Sequence, residues 1–191
     1  VVNSLFLDNN KFLWINTDGG TNRINFAKEA VGRIQIKEGK KQVSFSTSFA
    51  PAYKRDGYWV GTNGTGLCFI QADKGVPNRQ PCSCYSMKTK LAEDLSGFVS
   101  DIIVSKQGDI WMSTEGAGII RIKESSIPPK DTLLIDLEQY TKNSHEVNDY
   151  VMALYESVDG GIWFGYWDKG IGRYDPQTNS FVHYDLPKEL N

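Results

Sequence analysis

Short runs of alternating apolar and polar residues fill the chain, separated by clusters of Gly, Asp, Asn and Lys, and no long 3.6-residue period interrupts them. Four runs are alike: KFLWINTDGGTNRI around Trp14, DGYWVGTNGTGLCFI around Trp59, GDIWMSTEGAGIIRI around Trp111 and GGIWFGYWDKGIGRY around Trp163. The tryptophans recur about fifty residues apart, the spacing of a repeat architecture. Thr17, Thr62 and Thr114 follow their Trp at one offset, and Gly66, Gly118 and Gly170 follow at a longer one. The first copy fits with a loop one residue shorter, which makes Gly20 the loop glycine and aligns Arg23 with Arg121 and Arg173.

Residues two apart on a strand share a face. Each Trp is therefore paired with a small neighbour, namely Asn16, Gly61, Ser113 or Gly165. The opposite face carries Leu13 and Ile15, Tyr58 and Val60, Ile110 and Met112, Ile162 and Phe164, so both faces are apolar. Two-sided burial without crossover helices requires antiparallel sheets stacked on one another. Turn signals before each Trp strand (DNNK, KRDG, KQGD, VDGG) divide each copy into four strands, in the last copy about 150–157, 161–166, 170–175 and 180–185. The expectation is an all-β fold, a β-propeller fragment of about four blades, each a four-stranded antiparallel sheet, in one partial domain over 1–191 with blades at 1–47, 48–97, 98–148 and 149–191. Closure as a four-bladed ring is the alternative. LLIDLEQYTK is read as the fourth strand of the third copy. Pro51 falls where the first strand of the second copy belongs, making that copy the least regular.

Composition narrows the partners. Apolar residues make up 40% and charged residues 23%, and no apolar run is long enough to cross a bilayer as a helix, so no direct membrane insertion is expected. With 21 basic and 23 acidic residues the net charge is -2, and no basic stripe marks a nucleic-acid partner. Cys68, Cys82 and Cys84 have neither zinc-site spacing nor the density of a disulfide scaffold. They are read as buried free thiols, with a Cys68–Cys84 bridge across a hairpin near Val76 as the alternative. No nucleophile elbow, zinc motif or phosphate loop is present, and no catalytic residues, metal or cofactor are expected.

The repeated residues resemble the two-component regulator propeller repeat, whose blades read as an apolar strand, an Asp and Gly turn, Ile-Trp-Ile-Gly-Thr, a Gly-rich loop and Gly-Leu-x-Arg-Tyr-Asp. SVDGGIWFGYWDKGIGRYDPQTNSFVHYD matches over an entire blade; IIVSKQGDIWMSTEGAGIIRI and YWVGTNGTGLCFI each match over half of one. The resemblance implies a periplasmic sensor region of a hybrid two-component histidine kinase, detecting glycan fragments ahead of a sandwich-like module, a membrane helix and the kinase. It also implies about seven blades in the parent. Four blades would then expose an apolar face at each end, and self-association is expected.

Function in this reading is non-enzymatic. The expected partners are an oligosaccharide or other small ligand, the remaining blades and the downstream modules. A protein-interaction scaffold is the second reading and a propeller lyase or glycosidase the third. The loop after each Trp strand and the segments between blades share a rim, which makes Asp18, Asn63, Glu115 and the run Tyr166, Trp167, Asp168 and Lys169 candidate ligand residues, with His145 on the interblade segment TKNSHEVN. In the fourth copy Tyr166 replaces Thr, and Trp167 stands where the other copies have Asp, Asn and Glu. An exposed indole there is a platform for a sugar ring; a packing or partner contact is the alternative.

Overall fold

The computed structural model describes residues 2–8, 11–17, 20–25, 30–34, 37–38, 41–42, 46–71, 82–88, 95, 97–128, 133–134, 136–168 and 170–186. The first sheet is a meander of β1 (Val2–Leu7), β2 (Phe12–Thr17), β3 (Gly20–Asn25) and β4 (Ala30–Ile34), followed by a small hairpin of β5 (Lys37–Glu38) and β6 (Lys41–Gln42). The second contains β7 (Ser46–Pro51), β8 (Gly57–Thr62), β9 (Leu67–Gln71) and β10 (Cys82–Met87). The third contains β11 (Val99–Val104), β12 (Asp109–Thr114) and β13 (Ile119–Lys123); the chain then forms β14 (Leu133–Leu134) and returns as the fourth strand, β15 (Glu138–Tyr140). After the short helix α1 (Lys142–His145), β16 (Val151–Glu156), β17 (Ile162–Tyr166), β18 (Ile171–Asp175) and β19 (Ser180–Tyr184) make the fourth sheet.

Every pairing within these meanders is antiparallel, and the four sheets are propeller blades. The first strands of successive blades lie side by side, β1 by β7, β7 by β11 and β11 by β16. All four first strands carry an irregularity at the same place, between Val2 and Ser4, Ser46 and Ser48, Val99 and Asp101, and Val151 and Ala153. A bulge adds local twist, so repeating it in each blade reproduces the same turn from blade to blade. Pro51 is accommodated at the end of β7, where the ladder stops. The run LLIDLEQYTK is divided: Leu133 and Leu134 pair in parallel with β10 of the second blade, and only Glu138–Tyr140 serves the third.

Three apolar clusters fill the gaps between neighbouring blades. Trp14 packs with Tyr58, Val60 and Ile70 of the second blade; Trp59 lies with Val99, Ile110 and Met112 of the third; Trp111 lies with Leu154, Ile162 and Tyr174 of the fourth. Each of these three indoles is thus pressed against the opposite, apolar face of the next sheet. The small residue beside it leaves room for that sheet: a Cβ on Gly61 would meet Val99 at 2.7 Å.

A cation covers each indole. Arg23, Arg121 and Arg173 sit opposite Trp14, Trp111 and Trp163 on the neighbouring strand and lie 5.6, 5.1 and 5.8 Å from the ring centres. In the second blade the corresponding position is Phe69, and Arg55 from the turn before β8 takes over at 5.4 Å from Trp59. The cation–π contact is kept although the residue supplying it has moved to another turn.

The expectation of free thiols is overturned for two of the three cysteines. Cys68 on β9 and Cys84 on β10 are directly opposed, their Cα atoms 4.0 Å apart, and they form a disulfide buried against the first blade. Antiparallel positions of the close type bring opposed residues near enough for a bridge. Spacing alone could not set this register, because the intervening hairpin is long.

Candidate functional site

The loops after the Trp strands of the second and third blades are tight turns built from two repeated residues. The Thr62 hydroxyl donates to the Gly66 carbonyl at 2.8 Å, and the Thr114 hydroxyl donates to that of Gly118 at 2.9 Å. Gly118 has φ +70°, and a Cβ there would meet the Tyr140 carbonyl oxygen at 2.1 Å, so the position demands glycine on both counts. In the fourth blade Tyr166 replaces the Thr, and only its backbone N–H reaches Gly170, at 3.3 Å. The Tyr166 side chain is half-buried against the apolar cluster between the third and fourth blades. Its ring meets Phe164 and its hydroxyl is 2.7 Å from Nδ1 of His183 on the outermost strand. Burial pushes the Tyr166 hydroxyl pKa up to about 12.

These loops and the segments entering the next blade are tied along one rim. Asn63 bridges Phe98, Glu115 bridges Tyr150, and the Gly116 and Gly118 N–H groups both donate to the Asp149 carbonyl at 2.9 Å. Glu115 N–H donates to the Phe98 carbonyl and Trp167 N–H to that of Tyr150, at 2.9 and 3.1 Å, extending the ladders of the third and fourth blades up to the rim. The rim is therefore a continuation of the sheets, and it holds its side chains on a firm backbone.

Glu115, Tyr150 and Trp167 line a cavity of about 390 Å³ on this rim. Trp167 is 71% exposed and Tyr150 54%, so neither ring is consumed by packing within the described residues. The carboxylate is exposed and forms no ion pair with a described cation. Two aromatic side chains and an acidic residue lining such a space can pack on a sugar ring and bond its hydroxyls.

The structure brings together Glu115 and Trp167 of the residues singled out in the sequence, with Asp168 beside them on the loop, where its carboxylate accepts from the Asn148 amide at 3.3 Å. Asn63 lies on the same rim one blade away, paired with Phe98. Tyr166 is half-buried as described. His145 is on α1, its ring edge-on to Tyr140 and 5.5 Å from Phe181, and it does not line the cavity. Asp18 and Lys169 lie outside the described residues. Tyr150 and Phe98 were missed. The signal was an aromatic immediately before the first strand in both SGFVSDII and NDYVMALY, visible only when the interblade segments are aligned alongside the Trp strands.

Among the described residues no group of three His, Cys, Asp or Glu side chains is placed to hold a metal, and no helix is long and apolar enough to cross a membrane.

Meandering four-stranded sheets, stacked through one indole per interface, define a β-propeller arc with an aromatic rim cavity. Solved structures share this architecture. The chain superposes on the extracellular domain of BT3049, assigned to a hybrid two component system of B. thetaiotaomicron, with a TM-score of 0.69 and 22% identity over 96% of this chain and 23% of that one. The extracellular domain of BT4673 from B. thetaiotaomicron, also assigned to a hybrid two component system, gives a TM-score of 0.70 at 19% identity over 97% of this chain and 24% of that one. The β-propeller domain of Cps50 (Swd1) from Myceliophteria thermophila gives 0.62 at 10% identity over 97% of this chain and 55% of that one. The chain thus spans about a quarter of the length of the two B. thetaiotaomicron structures. No family model matches the sequence, and no curated protein matches it.

Proposed function

We propose that the chain is a ligand-sensing propeller arc of an extracytoplasmic two-component receptor, that it recognises an oligosaccharide on its rim, and that it passes the binding event to a histidine kinase. The observation that carries this reading is the cavity between Glu115, Tyr150 and Trp167, with its two exposed aromatic side chains on a backbone tied to two blades. Its likeness in fold to extracellular domains assigned to two component systems supports the receptor class. The Cys68–Cys84 disulfide fits an oxidising compartment such as the periplasm. Tyr150 and Glu115 come from adjacent blades, so a ligand held by both would favour one blade packing over another, the differential affinity that signalling needs. The chain carries no reaction of its own in this reading.

Calorimetry of the intact protein against a glycan panel tests it. A glycan that binds the wild type should bind Trp167→Ala roughly 3- to 10-fold more weakly, the scale of one lost stacking contact. Because Trp167 is mostly exposed, the variant should fold normally. Unchanged affinity would remove the platform, and glycan cleavage products after long incubation would favour an enzyme instead.

A further inference from the structure

We propose that the rim carries a second sugar subsite at Phe98, one blade away from Tyr150, so that the ligand is an extended oligosaccharide lying across the rim and not a mono- or disaccharide held in the cavity alone. The sugar itself rests on the function proposed above; the extent of the site rests on the strand register.

Five rim positions are joined side by side. At the ends of their ladders Val99 opposes Thr114 and Val151 opposes Tyr166. One step further out Phe98 opposes Glu115 and Tyr150 opposes Trp167, each pair held by the hydrogen bond from the second residue's N–H to the first residue's carbonyl. Between blades Asn63 pairs with Phe98 and Glu115 with Tyr150, both antiparallel. The order along the rim is therefore Asn63, Phe98, Glu115, Tyr150, Trp167. Directly opposed residues of antiparallel strands place their side chains on the same face, so this register sets all five on one side of the ladder. Neighbouring strands lie about 4.8 Å apart, and the three steps from Phe98 to Trp167 span roughly 15 Å. Phe98 is 47% exposed and, unlike Tyr150 and Trp167, does not line the cavity, so it is a separate contact. Aromatic side chains left in water in one row mark a binding surface. Polar Asn63 and Glu115 are interleaved with the rings, which matches a sugar chain of apolar ring faces and hydroxyl edges. The aromatic step recurs in the sequence: Phe45 stands at the same place before the first strand of the second copy, outside the described residues. A chain long enough to reach Phe98 from the cavity gains the second contact within one molecule, which raises its affinity over that of a short one.

Dimers and hexamers of β-1,4-linked glucan, mannan, xylan and galactan, titrated by calorimetry into the intact protein, test the extent of the site. In a series that binds, the hexamer should bind about tenfold more tightly than the dimer, or better. Phe98→Ala should weaken the hexamer roughly 3- to 10-fold and leave the dimer unchanged, while Trp167→Ala weakens both. Phe98→Tyr, which keeps the ring, should retain the hexamer affinity. The Phe98 side chain is half in water and its backbone makes the rim contacts, so both variants should keep the fold, and the length dependence of the wild type needs no variant. Equal binding of dimer and hexamer, a Phe98→Ala loss of the same size for both, or no loss for the hexamer overturns the second subsite and leaves the cavity standing. If no member of the four series binds, the second subsite falls together with the oligosaccharide reading.

Discussion

Asp101 shows how one side chain can join blades. It sits at the bulge of β11, its Oδ1 accepting from the Ile102 N–H at 2.8 Å and its Oδ2 from the Leu154 N–H of the next blade at 2.9 Å. Burial raises its pKa above the usual carboxylate value, more than these hydrogen bonds lower it. An acid with a raised native pKa keeps its proton longer in the folded than in the unfolded chain, so its contribution to stability is greatest at acid pH and declines as pH rises from the unfolded value through the native one. An asparagine has one acceptor oxygen and leaves one of the two N–H groups unmatched, a cost of about 1–3 kcal/mol. Asp101→Asn should therefore be less stable than wild type, with a gap that narrows as the pH rises above the ordinary carboxylate value. Urea unfolding at several pH values measures it, and a gap that is constant or widens with pH would contradict the assignment.

At the scale of elements, the second blade is the irregular one and is reinforced accordingly. Phe69 stands in the arginine position, Pro51 closes the first strand, and β14 adds a strand from the third blade to its outer edge. The Cys68–Cys84 disulfide pins β9 to β10 beneath Trp14, closing a loop of 16 residues. A loop of that size is worth about 3 kcal/mol in the chain-entropy account. Replacing both cysteines by serine should lower the unfolding free energy by that order, and non-reducing peptide mapping of the wild type should recover the 68–84 link. Mapping that finds both cysteines alkylated would show the bridge absent. The strand content and the alternation of faces were legible from the residues, down to the last blade, where observed strands at Ile162–Tyr166 and Ile171–Asp175 match the expected ones closely. The disulfide was legible only as the alternative to free thiols, because pairing register between strands ten residues apart in sequence depends on contacts beyond the strands themselves.

For the whole molecule, the arc has two different ends. On the fourth blade Tyr155, Trp163, Ile171, Val182 and Tyr184 share the face that buries an indole in the other blades; here Trp163 is only partly covered, stacked on Tyr184 at 5.6 Å, and Tyr155 is 64% exposed. On the first blade Leu5 and Leu7 are exposed on the face that elsewhere receives one, with Leu5 at 63%. The two faces are the complementary halves of one interface, and apolar patches of this kind associate. At micromolar concentrations the isolated chain should sediment as concentration-dependent oligomers. Leu5→Lys and Tyr155→Lys should each reduce this without unfolding the blades, since both side chains are already in water; a monomer at all concentrations would refute the expectation.

The repeat, the two-sided burial and the position of each indole follow from the sequence alone, because strand alternation is a local property that four copies state four times. Trp167 stood out for the same reason, as a departure from a local template. Only the tertiary structure decided that Tyr166 reaches His183 on the outermost strand while Trp167 stays in water, that Tyr150 joins it, and that Arg55 replaces the missing arginine of the second blade. Those outcomes are set where separate strands and turns of a blade meet, and no pattern within one strand can record which residues will touch.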